Sequence, residues 1–194
     1  AGVLKQSALP SNSRSCESRQ RLKLSALGAR DRPACCSAGF ACPLEMVAVP
    51  TLYTIGYRRK PLSVFINQLR TADVDAVIDV RLRNTSHLLG YAKKDTLAFL
   101  LRQGFGIAYE HYPELAPTPE ILDAYRDEGD WEAYEVQFSP LLEDRAVDLL
   151  GQAILDRYRA PCLLCAESEP EHCHRRLVAE YWGGRLPEFC IVHL

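Results

Sequence analysis

Nowhere in the 194 residues does an apolar run approach the roughly 20 residues that a membrane-spanning helix needs, so no such span is expected. Strong charge of either sign is also missing. The formal net charge is −2, which suggests neither a nucleic-acid coat nor a polyanionic tail. No internal repeat is present, and nothing marks a second domain. Methionine is nearly absent, Met46 being the single one. The segment before it has no apolar stretch of the kind a secretory signal carries. What remains is ordinary for a soluble globular chain: 47% hydrophobic and 25% charged residues, in a length that supports one domain with a real core.

That average conceals two unlike parts. Residues 1–45 hold seven Lys/Arg and three Asp/Glu and are rich in Ser, Arg and Cys. "SNSRSCESRQRLK" offers no apolar periodicity and cannot build a core. A transit peptide, a functional basic arm, or sequence upstream of a true start at Met46 would each account for it. The last reading is preferred, because organised sequence begins directly after Met46. Residues 1–45 are therefore read as a leader outside the native fold, and 46–194 as one domain. That domain has 16 basic and 22 acidic residues. Of eight cysteines, four lie in the leader. The others, Cys162, Cys165, Cys173 and Cys190, fall in the last 33 residues. A domain with this much apolar sequence needs no staples, so these thiols are read as reduced and the location as cytoplasmic.

Strand and helix patterns alternate along the domain. "TLYTIGY" (51–57) and "VDAVIDV" (74–80) read as strands, separated by a helical pattern opened by Pro61. A polar loop with Asn84, Ser86 and Gly90 leads to a helix closed by Gly104. "GIAYEHY" (106–112) is the third strand. Residues 119–148 are helical and strongly acidic, with breaks expected near Gly129 and at Pro140. An amphipathic helix follows over 141–159. "PCLLCAE" (161–167) reads as a buried strand, "EPEHCHRRLVAEYW" as a helix, and "FCIVHL" as a closing strand. This order predicts an α/β three-layer sandwich with a mainly parallel sheet, helices on both faces, and the acidic segment as a helical insertion or lid over the sheet edge.

Ligands of open parallel sheets bind beyond the carboxyl ends of the strands. Those ends deliver Tyr57 and Arg58, then Asp79, Arg81 and Arg83, then Tyr109, Glu110 and His111, and finally Cys165, Glu167, His172, Cys173, His174 and Arg175. Reactive and polar types gather there while the strand interiors are apolar. Cys165 at a strand end would have its pKa lowered by a facing helix N-terminus and act as a nucleophile; its alternative is a small buried apolar residue. The spelling C-x-x-C at 162–165 is no redox pair, because positions three apart on a strand face opposite ways. Cys165, Cys173 and His174 would offer soft metal ligands, but adjacent helical residues point about 100° apart. No metal or cofactor is therefore assigned. Arg81, Arg83 and Arg175, with Lys93 and Lys94 and the helix start near Pro170, suggest an anion site. Asp79 and Glu167 would serve as catalytic carboxylates or as holders of Arg81 and Arg175. Tyr57 would stack on a ring.

The segments "TIGY", "IDVRLRNTSHLLGYAKKDTLAFLL", "GIAYEHYPELAPTPEILDAYR" and "LLCAESEPEHCHRRLVAEY" together resemble the DUF488 family of small proteins. The likeness runs from about Thr51 to the end of the chain. It implies a compact α/β fold and a polar cleft formed by those blocks, and supplies no reaction.

The leading expectation is an enzyme, hydrolase-like or glycosidase-like, acting on a small phosphorylated or nucleoside-type substrate. Asp79, Glu167, Cys165 and His174 are its catalytic candidates; Tyr57, Arg81, Arg83 and Arg175 its binding candidates. A non-catalytic nucleotide- or nucleic-acid-binding module is the second reading. A thiol- or metal-dependent enzyme is the third. No membrane partner is expected, and the sequence sets no oligomeric state.

Overall fold

Five short strands form one sheet in the computed structural model, which describes residues 49–85 and 90–194. The leader, Met46 and Ser86 lie outside the described residues. The strands are β1 Thr51–Gly56, β2 Ala76–Asp79, β3 Ala108–His111, β4 Pro161–Cys165 and β5 Cys190–His193. Their order across the sheet is β3-β2-β4-β1-β5, and every pairing is parallel. β2 and β4 are buried throughout, which is why their sequences read AVID and PCLLC with almost no polar residue.

Among the described residues, six α-helices cover the two faces. They are α1 Leu62–Thr71, α2 Lys94–Phe99, α3 Pro119–Glu128, α4 Trp131–Asp144, α5 Val147–Arg157 and α6 His174–Arg185. One core packs Ile55, Val77, Cys162 and Leu164 of the strands against Phe65, Ile66 and Leu69 of α1 and Leu97 of α2. The other packs Leu52, Ile78, Leu163 and Cys165 against Ile121, Phe138, Leu142, Ile154, Val178 and Trp182 of α3 to α6. The result is the expected three-layer α/β sandwich, with a sheet that is wholly parallel. Strand pleating puts Cys162 and Cys165 in different cores, as their spacing requires.

The acidic segment forms α3 and α4. Ile121, Tyr134, Phe138 and Leu142 sink into the second core, so the segment is part of one helical layer and not a cover over a sheet edge. Its helices are closed by side-chain caps: Thr118 accepts from the Ile121 amide at 3.4 Å and Asp130 from the Ala133 amide at 2.9 Å. Gly129, in the left-handed region at φ 73°, separates them. Pro140 does not break the chain as its type suggests. It lies inside α4, and the carbonyl it cannot serve belongs to Val136, a residue 74% exposed. The break falls later, at Ala146 with φ 48°.

The connections run in two directions. β1 to β2 and β2 to β3 cross one face through α1 and α2. β3 to β4 and β4 to β5 return across the other through α3 to α6. The carboxyl end of β4 is therefore flanked by β1 and β2, whose loops leave toward the opposite face. In a parallel sheet such a reversal opens a crevice at the strand ends, and Cys165 is the last residue of β4.

Candidate functional site

Cys165, Cys173 and His174 converge at the carboxyl end of β4. After β4 the chain turns through residues 166–172 and enters α6 at His174, four residues later than the Pro170 start suggested by the sequence. Cys173 is the N-cap, in extended conformation at φ −141° and ψ 133°. The angular objection to joint action of Cys173 and His174 assumed two helical residues. One of them is not helical, and their side chains meet. The Sγ atoms of Cys165 and Cys173 and a ring nitrogen of His174 all lie within 4.8 Å of one another. All three residues are buried.

The imidazole is held from both sides. His174 Nε2 lies 2.8 Å from the Val80 carbonyl oxygen, and its Nδ1 lies 3.6 Å from Cys165 Sγ. A carbonyl only accepts, so Nε2 carries the proton and Nδ1 faces the thiol. A hydrogen bond from Cys173 holds the Cys165 thiol well below its ordinary pKa. Burial opposes this, and the charge and hydrogen bond of His174, with the Glu167 amide, add to the lowering. Burial, followed by the bond to Cys165, pushes Cys173 up. Burial alone would lower His174, but the Cys165 charge and bond raise it. Of the two thiols, ionisation is thus favoured at Cys165 over Cys173.

Arg175 underlies this loop. It is 0% exposed, and its guanidinium donates to the carbonyls of Glu167 at 2.5 Å and Ser168 at 3.0 Å, to Thr54 Oγ1 at 3.4 Å and to Cys173 Sγ at 3.3 Å. Gly56 permits the loop to approach: a Cβ there would stand 1.7 Å from the Glu167 carbonyl oxygen. The Glu167 carboxylate turns outward to Arg58, with contacts of 2.8 and 2.9 Å. Ser168 Oγ donates to the Arg58 carbonyl oxygen at 2.7 Å.

Asp79 and Arg81 stand elsewhere. Asp79 shares its face with Val77 and Tyr109 of the first core, and Arg81 lies near Tyr57 there; the thiol cluster faces the second core. Asp79 is 0% exposed. It accepts from Arg81 Nε at 2.8 Å, Arg81 Nη2 at 2.7 Å, the Arg81 amide at 3.1 Å, Asn84 Nδ2 at 3.2 Å and the Tyr109 hydroxyl. Burial would raise its pKa; the Arg81 hydrogen bond and charge, with Tyr109, outweigh it and hold the carboxyl low. Arg81 also donates to the Ala92 carbonyl oxygen at 3.0 Å, and its guanidinium lies 5.0 Å from the Tyr57 ring centroid. Arg83 reaches outward to Asp123 at 3.3 Å. Lys93 and Lys94 stand at the start of α2.

The eight sequence candidates thus form three groups. Cys165 and His174 touch, with Arg175 next to them in the chain. Asp79, Arg81 and Tyr57 form a second group on the other face of the sheet. Glu167 and Arg83 sit at the rim in separate ion pairs. Cys173 completes the first group; sequence reasoning set it aside because the N-cap geometry that turns its thiol inward was not visible. Asn84 and Tyr109 complete the second.

Over the thiol group lie the rings of α3 and α4. Trp131 stacks on Tyr134, Tyr134 meets Phe138, and Phe138 meets the His174 ring edge-on at 6.0 Å. Arg176 of α6 holds Glu135 of α4 at 2.5 Å. Cys162, Cys165 and Cys173 are free thiols. Cys190 is disulfide-bonded, which departs from the expectation of a reduced thiol at that position. Among the described residues no helix is long and apolar enough to cross a membrane.

A family model described as "Domain of unknown function DUF488" matches residues 61–182. No curated protein and no solved structure matches the chain.

Proposed function

The chain belongs to the DUF488 family, and we propose that it is a thiol-dependent enzyme with Cys165 as its nucleophile. The observation that carries this is the arrangement of one imidazole. His174 has its Nε2–H fixed on the Val80 carbonyl and its Nδ1 toward Cys165 Sγ. A nucleophile, a base beside it and a group orienting the base constitute the general triad arrangement. Cys173 and the Glu167 amide support the thiolate.

The other candidates take supporting roles in this reading. Arg175 shapes the loop that carries Glu167 and Ser168, and Asp79 holds Arg81 against Tyr57. Asp79 and Glu167 each serve a different arginine, so carboxylate catalysis at a glycosidic bond has less support than thiol chemistry. Arg83 and Arg58, each with its side chain 55% exposed, supply the rim charge that would draw a small anionic or nucleoside-type substrate. A nucleic-acid-binding module has less support, because the buried guanidiniums of Arg81 and Arg175 are turned to protein partners.

Iodoacetamide at neutral pH, with the modified residues mapped by mass spectrometry, tests the assignment. Among Cys162, Cys165 and Cys173, Cys165 reacts first, and His174→Gln slows it at least tenfold, the scale on which a general base acts. Preferential modification of Cys162, or no difference between native and His174→Gln protein, would sink the reading.

A further inference from the structure

The same three side chains have the geometry of a metal centre. A zinc ion bound at about 2.3 Å to sulfur and 2.0–2.1 Å to nitrogen, with tetrahedral angles, sets those two ligand atoms about 3.6 Å apart. Cys165 Sγ and His174 Nδ1 are 3.6 Å apart. Two thiolates on such an ion stand about 3.8 Å apart, and the whole donor set here lies within 4.8 Å. The surroundings match what metal ligands need from their neighbours. The Val80 carbonyl holds Nε2–H, so the Nδ1 lone pair points at the thiols. Arg175 Nη1 reaches Cys173 Sγ at 3.3 Å, supporting negative charge on that sulfur. The donors stand on a strand end, an N-cap and a first helical residue, positions fixed by the packed core.

We propose that Cys165, Cys173 and His174 form a three-ligand site for a soft divalent cation of the zinc class, and that its occupancy masks the Cys165 sulfur. Two sulfurs and an imidazole select such an ion over magnesium or calcium, which take oxygen ligands. Two thiolates would balance the charge of a divalent ion, which lessens the cost of burying it here. Three protein ligands leave a fourth position for water or a small ligand. Binding needs both sulfurs deprotonated, releases whatever thiol proton they hold to solvent, and ties up the electron pair with which Cys165 would attack. The ion thus acts as a reversible brake on the chemistry proposed above, and the inference rests on that reading of Cys165.

The full chain is stripped with a chelator and titrated with cobalt(II), and cysteine alkylation is followed in parallel. The expected result is one equivalent of cobalt with the visible bands and sulfur-to-metal charge transfer of a tetrahedral thiolate site. Zinc abolishes the bands and slows Cys165 alkylation at least tenfold, in keeping with the affinity scale of such ligand sets. Cys173→Ser and His174→Ala weaken binding, while Cys162→Ala, in the opposite core, retains it. The protection measurement uses the unaltered chain, so it stands even if a variant fails to fold. Rapid Cys165 alkylation with neither cobalt bands nor zinc protection overturns the metal site and leaves the thiol reading intact. Cobalt bands from a protein whose stripped form shows no preferential Cys165 reaction retain the metal site and overturn the thiol reading.

Discussion

Asp79 carries five hydrogen bonds on a carboxylate with no solvent exposure. A buried charge persists only when its partners replace water, and Arg81, Asn84 and Tyr109 do so. Asp79→Asn keeps the shape and removes the charge, leaving Arg81 buried without its counter-ion. Loss of one partner of a buried pair costs about 3–5 kcal/mol, which lowers the melting temperature on the order of 10 °C in a domain of this size. Thermal unfolding followed by circular dichroism checks this. A loss no larger than the ~1 kcal/mol of a surface pair would contradict a buried structural role. The residue types at this position were legible in "DVRLR"; their mutual saturation was not, because Tyr109 arrives from another strand of the sheet.

Among the elements, the turn between β4 and α6 decides the most. It lies against β1 so closely that Gly56 has no room for a side chain. Gly56→Ala forces the Glu167 carbonyl outward, which strains Arg175 and shifts the entry to α6. A cost of about 1–3 kcal/mol is expected for such overpacking, together with slower Cys165 alkylation in protein that still folds. Gly184→Ala is the control: nothing lies within 4 Å of the added Cβ, and alanine in a helix is favourable by up to about 1 kcal/mol. Equal alkylation rates in the two variants would show that the turn does not set the thiol. Periodicity and breakers located the strands and most helices. They misplaced the entry to α6, because Pro170 and its acidic neighbours resemble a helix start, whereas the N-cap role falls to Cys173. Pro140 misled for a related reason: exposure of Val136 lets α4 continue past it.

At the scale of the whole molecule, acid should act through the carboxylates whose charge the fold stabilises. Burial opposes ionisation of Asp79 and Glu110, but Arg81 with Tyr109 at the first, and Tyr112, Tyr158 and Arg157 at the second, hold both below their ordinary pKa values. A depressed folded pKa contributes stability above the unfolded value and loses it as pH falls through the folded one. The urea midpoint should therefore hold between about pH 5 and 7 and drop below about pH 4. Asp79→Asn should shrink that drop. A midpoint rising on acidification would contradict the assignment. The reversal of connection direction at β4 also belongs to this scale. It places a thiol at the strand end between two outgoing loops.

The amino-acid order alone determined the alternation of strands and helices, the parallel sheet and the gathering of reactive residues at its carboxyl edge. Those follow from local periodicity and from the handedness of crossovers, which act over short stretches of chain. Only the tertiary structure decided which candidates meet. The pleat sent Asp79 and Cys165 to opposite faces, and the extended N-cap turned Cys173 inward beside His174. Arg81 and Arg175 were claimed by protein acceptors, because a buried guanidinium must find them. Side-chain direction at a strand end depends on register and neighbours, and those exist only once the chain has folded.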